Sequence, residues 1–362
     1  MTPPRRSIGR QWSYLRQLCF SGLDSRMMVP EILRTVNHIV PNDAGSFFWT
    51  TAQGIPTDIF HEHSPPEVQH LFLNHFEELF IGPTELNVHS LIHRGQKLGQ
   101  LLAPPAFYFA SNTHHLLVRG SGHEHTLDAR IDAHGATVGE LMLFRGPGRQ
   151  FTQDDCDNLA KVVRYIEFAV ANENTQPDTF RAVQDNATIV MDTDDRPLWM
   201  TDPARRLLQQ ALQAGNSWVD LPKSGLLPPF CRHVCHLLRG DHGIPEVTFS
   251  VPHGRLCARA SWLTAAAADT PAGRPLIAIH LQLQVSHNLR LLQAVRDLPA
   301  SPMQQQVAYI LATGASRAQA RERLNLSESA LKEHLGQLYQ KLGIDSLAAL
   351  QQLLTAAANG TG

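Results

Sequence analysis

Between Ser327 and Leu342, polar side chains recur at three- and four-residue intervals: Ser329, Lys332, Glu333, Gly336, Gln337 and Gln340, with Lys341 following. That spacing gathers Ser329 to Gln340 on one side of an α-helix. Ammonium groups, hydroxyls, amides and a carboxylate on one helix face are the groups that meet phosphates and base edges in the major groove of DNA. Lys332 and Lys341 would take phosphate or base contacts, and Ser327 and Ser329 neutral contacts to the DNA backbone. Glu333 and Gln337 would add polar groups at the centre of the face, where Gly336 offers no side chain.

The elements that must position this face are legible around it. Leu331, Leu335, Leu338, Tyr339 and Leu342 fall on the opposite side and predict a buried stripe. Ser327 reads as the helix cap, Glu328 suits the positive end of the dipole, and Gly343 stops the helix. Ahead of it, Ser316 with Gln319 three residues later forms a capping box that starts a helix just after Gly314 and ends it near Leu324. Ser346 opens a closing helix through Leu347, Leu350 and Leu354. Two helices joined by a turn of two or three residues, the second longer and polar on one side, describe a helix-turn-helix.

These residues resemble the LuxR-type (GerE/NarL-like) DNA-binding domain. The matching positions are Pro302, Val307, Gly314, Leu324, Leu326-Ser327, Lys332, His334-Leu335, Leu338-Tyr339 and Lys341-Leu342-Gly343. The resemblance implies an all-α four-helix domain over 298–358 that binds double-stranded DNA as a homodimer, with Ser327, Ser329, Lys332, Glu333, Gly336, Gln337 and Lys341 in the interface. Departures stand beside it. Met303-Gln-Gln-Gln306 replaces acidic and basic residues, Gln319-Ala320-Arg321 replaces Glu-Ile-Ala, and Ala330 replaces a phosphate-touching Thr. From Arg296 onward there are six Lys/Arg against five Asp/Glu, a net of +1. Phosphate contacts usually dominate affinity, so the departures imply weak, salt-sensitive binding.

Upstream, residues 12–172 alternate helix and strand signals. Met28, Ile32, Leu33, Val36 and Ile39 predict a helix over Met27–Val40, and Pro66–Phe80 also reads as helical. Strands are expected at Gly45–Thr51, Thr57–Phe60, Leu116–Arg119, His125–Ile131 and Thr137–Phe144, and a long helix capped by Thr152. The order, with the closing run Gly139-Glu-Leu-Met-Leu-Phe144 and Phe151-Thr-Gln-Asp-Asp155, resembles a GAF domain. After a polar linker, residues 179–285 carry strands at Ala187–Met191, Pro197–Met200, Glu246–Val251, Gly254–Trp262 and Pro275–Leu283. The string from Ile189 to Leu208 resembles the opening of a PAS domain, which implies Asp202 as the cap of the next helix. Residues 286–297 are expected to form a helical linker.

Other residue types also carry groups capable of chemistry. His61/His63, His114-His115, His123/His125 and Cys231/Cys235/His236 have permissive metal-ligand spacings, but a zinc site needs four converging ligands, and no metal is expected. Cys231 and Cys235, one turn apart, are explained equally well as small buried hydrophobes. Phe47, Phe48, Trp49, Phe60, Phe107, Tyr108 and Phe109 could line a sensory pocket or pack a core. The Trp/Tyr/Asp pattern of acyl-homoserine-lactone receptors has no counterpart here. No phosphate-binding glycine loop or nucleophile elbow is present, so neither an enzyme nor a cofactor is expected.

At 362 residues with 43% hydrophobic and 18% charged side chains, the chain has room for two or three cores. A net charge of -2 excludes non-specific polyanion binding by the whole surface. Five scattered cysteines suit a reducing compartment, and Met1–Ser7 lacks the apolar core of a signal peptide. The expectation is a cytoplasmic, multidomain α+β protein: GAF-like and PAS-like α/β sensor domains, then the helix-turn-helix. It would be a homodimeric transcriptional regulator, with a small-molecule ligand in the N-terminal domain as a candidate partner and no membrane contact. The alternative is a sensor or adaptor that does not bind DNA and sequesters another regulator.

Overall fold

Our computed structural model describes residues 8–51, 53, 55–93, 96–175, 178–212, 229–240, 243–252, 254–263 and 275–360. The seven N-terminal residues read above for a leader, and residues 176–177 of the polar linker, lie outside them. Helices α1 (Ile8–Cys19) and α2 (Ser25–Ile39) precede strands β1 (Ala44–Thr50) and β2 (Pro56–His61). Alternation along β1 sends Phe47 and Trp49 to one face of the sheet and Phe48 to the other. Short helices α3 (Pro66–Asn74), α4 (Phe76–Leu79) and α5 (Val88–His93) cover the Phe48 side. Strands β3 (His125–Ala133) and β4 (Ala136–Arg145) then complete an antiparallel sheet in the order β2-β1-β4-β3. Their hairpin turns on His134 and Gly135, both with positive φ (53° and 78°), the conformation a tight two-residue turn needs. Helix α6 (Gln153–Ala171) closes this part, its start fixed by the expected Thr152/Asp155 capping box.

A second antiparallel sheet, in the order β6-β5-β9-β8-β7, follows. It comprises β5 (Phe180–Met191), β6 (Pro197–Met200), β7 (Glu246–Val251), β8 (Gly254–Leu263) and β9 (Leu276–Ser286). Helices α7 (Asp202–Leu212) and α8 (Pro229–Arg239) bury Leu207, Leu208, Cys231, Val234 and Cys235 against Ile189, Ile277 and Ile279. The remaining helices are α9 (His287–Asp297), α10 (Pro302–Ala312), α11 (Arg317–Leu324), α12 (Glu328–Leu342) and α13 (Leu347–Ala358). The chain is thus a mixed α+β protein, and among the described residues no helix is long and apolar enough to cross a membrane.

Three local expectations are corrected. Leu116–Arg119 is not a strand: Thr113–Val118 forms a π-helical turn. The buried Glu85 carboxylate accepts from the Asn112 and Thr113 amides at 3.0 and 2.8 Å, anchoring its start from 28 residues away. Pro66–Phe80 is two helices rather than one, broken at His75. Asp202 is the first residue of α7, and the Thr201 hydroxyl accepts from the Ala204 amide at 3.4 Å in the capping role. Among the described residues the first element is α1, which the apolar periodicity did not reveal.

Candidate nucleic-acid interface and its coupling helix

Ser327 caps α12, its hydroxyl accepting from the Ala330 amide, and Asn325 ends α11 in the left-handed region at φ 49°. Three residues therefore separate α11 from α12. Leu331, Leu335 and Leu338 bury the inner face of α12 against α10, α11 and α13, as their spacing predicts. Gly343 stops the helix at φ 66°.

Ser327, Ser329, Lys332, Glu333, Gly336, Gln337 and Lys341 are all solvent-exposed, and neither sheet-bearing part covers them. Lys332 has no hydrogen-bond or ion-pair partner among the described residues, so its ammonium is available. Gln337 and Lys341 are less free. Gln337 donates to Glu333 Oε1 at 3.0 Å and accepts from Gln304 Nε2 at 2.9 Å. Lys341 Nζ donates to Gln304 Oε1 at 2.9 Å, and that oxygen also accepts from the Ser301 amide at 2.9 Å. Gln304, 1% exposed, thus ties the cap of α10 to the outer side of α12. The sequence reading missed it, although the Ser301/Gln304 capping-box spacing was there to find. At Gly336 a Cβ would meet nothing within 4 Å, so the centre of the face is open down to the backbone. Arg317 and Arg323 on α11 are also exposed, and Arg321 pairs with Glu328 at 3.5 Å.

Helix α9 joins this group to the rest of the molecule. Leu289 and Leu292 belong to the core that holds α1, α2 and α6, whereas Leu291 and Val295 belong to the core of α10, α12 and α13. One helix is therefore shared by two cores. Polar contacts reinforce it at Glu31 of α2, whose carboxylate is fully buried. Glu31 accepts from Tyr14 at 3.1 Å, Arg34 at 2.7 Å, Gln293 at 3.3 Å and the Arg296 guanidinium. Burial pushes the Tyr14 hydroxyl well up, helped by Glu31. Burial alone would lower Arg296, but the Asp297 and Glu31 carboxylates more than offset it and hold the guanidinium charged. Arg10 donates to the Ala300 carbonyl and Gln306 to Ser13 at 3.3 Å, so α1 also touches the start of α10.

The remaining candidates settle elsewhere. His61 and His123 each stack near the Phe144 ring, at 5.4 and 5.3 Å, and lie 6.0 Å from each other. That covering, with the neighbouring His123 and His63, pushes the His61 pKa down to about 3. His63 lies in the turn after β2 and does not share a strand face with His61. Among the described residues, no three His, Cys, Asp or Glu side chains converge as metal ligands. All five cysteines are free and buried, and Cys235 lies 3.6 Å from the Met191 sulfur. Of the aromatic set, Phe47, Phe48, Trp49 and Tyr108 are core residues, while Phe107 and Phe109 are 43% and 46% exposed. The cavity between Phe48, Phe72, Val118 and Phe144 measures about 50 Å³, far below the roughly 300–1,000 Å³ of typical ligand pockets.

No family model and no curated protein matches the chain. Among solved structures, the sensor region of a sensor histidine kinase is 14% identical at a TM-score of 0.19, covering 43% of this chain. The chain spans 62% of the length of that sensor region. The E. coli DhaR(N)-DhaL complex is 12% identical at a TM-score of 0.21, covering 76% of this chain and 90% of the matched one. Likeness at these scores carries no inference about fold or function.

Proposed function

We propose that the chain is a cytoplasmic DNA-binding transcriptional regulator of the LuxR type, in which GAF-like and PAS-like sensor domains control a C-terminal helix-turn-helix. The observation that carries this reading is the exposed polar stripe from Ser327 to Lys341, set on a rigid apolar back and left uncovered by both sheets. In a homodimer, two copies of α12 would enter successive major grooves about 34 Å apart. Lys332 supplies the free cation, while Gln304 holds Lys341 and Gln337 in position for the DNA backbone. Because α9 belongs to both cores, a change in the packing of α1 and α2 would alter how the two copies of α12 are spaced.

A second reading is favoured by the net +1 charge of the segment and by Ala330, Glu333 and Gly336 at expected contact positions. In it, the same face binds another regulator and the protein acts as a sensor or adaptor. An electrophoretic shift with the duplex upstream of the protein's own gene separates the two. A shift competed poorly by unrelated DNA supports the regulator, and the absence of any shift at low salt supports the adaptor.

A further inference from the structure

A cleft of about 630 Å³ opens where the two sheets meet α9. Its floor is apolar, formed by Val183, Val251, Leu256 and Leu283 of the second sheet, with Leu289 of α9 beside them. Its rim carries three guanidinium groups, Arg34 of α2 and Arg290 and Arg296 of α9. Arg296 is committed to Glu31 and Asp297. Arg34 uses one nitrogen on Glu31 at 2.7 Å and keeps the others. Arg290 is exposed and has no carboxylate partner among the described residues. Among the described residues, the one acidic side chain lining the cleft, Glu62, accepts from the Gly45 amide at 2.7 Å.

We propose that this cleft binds an amphipathic organic anion, its carboxylate on Arg290 and Arg34 and its hydrocarbon part on the Val183–Leu283 floor. The volume lies within the roughly 300–1,000 Å³ of small-molecule sites, and the lining sets an apolar floor beside a cationic rim. Glu62 spends one carboxylate oxygen on the Gly45 amide rather than on the cleft, and burial raises its pKa. A ligand here touches both sheets and α9 at once. It would therefore bias the helix that carries α10 to α13, and that regulatory consequence, unlike the binding itself, rests on the regulator reading.

The test is calorimetric titration of the full chain with octanoate, using octylamine as the charge control. Saturable octanoate binding is expected, with no octylamine binding. Arg290→Glu and Val183→Asp, both at exposed positions that tolerate polar groups, should each weaken octanoate by about tenfold or more. Absence of saturable binding, equal binding of octylamine, or unchanged octanoate affinity in both variants would overturn the assignment. Duplex binding is measured separately: octanoate binding without any DNA shift keeps the ligand site and sinks the regulator, and the reverse outcome does the opposite.

Discussion

Replacing Glu31 by glutamine keeps the side chain's volume and removes the charge on which Tyr14, Arg34, Gln293 and Arg296 converge. A hydrogen bond to a charged group contributes about 1.5–3 kcal/mol, but these four are unequal. The Arg34 side chain is 54% exposed, so its pair contributes at most about 1 kcal/mol after screening. Gln293 sits at 3.3 Å, and Tyr14 keeps an amide oxygen as acceptor in the variant. Most of the loss falls on Arg296, whose side chain is 23% exposed and which retains Asp297. We therefore expect Glu31→Gln to cost about 2–4 kcal/mol in total. A double-mutant cycle with Arg296→Ala should return an interaction energy of about 1–2 kcal/mol. Urea unfolding followed by tryptophan fluorescence gives the four stabilities. Hydrogen exchange adds a local readout, since α9 amides should lose protection in either variant. An interaction energy below about 0.5 kcal/mol, the scatter of independent sites, refutes the idea that this cluster locks α9 to α2.

Two further outcomes follow from the fold. His61 titrates near 6.5 when unfolded and near 3 when folded, so the unfolded state holds more protons between those values, and this group's contribution to stability falls as pH drops through that window. His61→Phe preserves the stack on Phe144 and removes the slope; the wild type should lose ground to the variant between pH about 7 and about 4.5, and a constant difference in urea midpoints contradicts the assignment. A Cβ at Gly254 would lie 2.2 Å from the Gln284 carbonyl oxygen on the paired strand. Gly254→Ala should thus destabilise by about 3 kcal/mol, and a melting temperature equal to the wild type's would show that the β8–β9 register yields there.

Much of this architecture was legible because its signals are local. The caps at Thr152, Ser316 and Ser327 stand where their spacings put them, and the Leu331–Leu335–Leu338 stripe is buried as its period requires. What failed was long-range. The turn at Thr113–Val118 is helical because Glu85 binds its first amides, a contact that no window of sequence around Leu116 contains. Helix α1 hid because Gln11 and Gln17 are buried beside Leu15 and Leu18, which blurs its apolar face. The candidate interface was visible as a polar stripe. The grip of Gln304 on Gln337 and Lys341 was not, because it joins residues 33 and 37 positions apart. Nor could periodicity reveal that α9 divides its leucines between two cores.

The central claim is that the exposed face of α12 binds DNA, and Lys332 is its free cation. Fluorescence anisotropy on a duplex from the protein's own upstream region, comparing wild type with Lys332→Ala across a salt series, tests it most directly. The account predicts a loss of about 1–3 kcal/mol, roughly 5- to 150-fold in affinity, with a salt slope lower by about 1 if the contact is to phosphate. Equal affinities and equal slopes for the two proteins would contradict it.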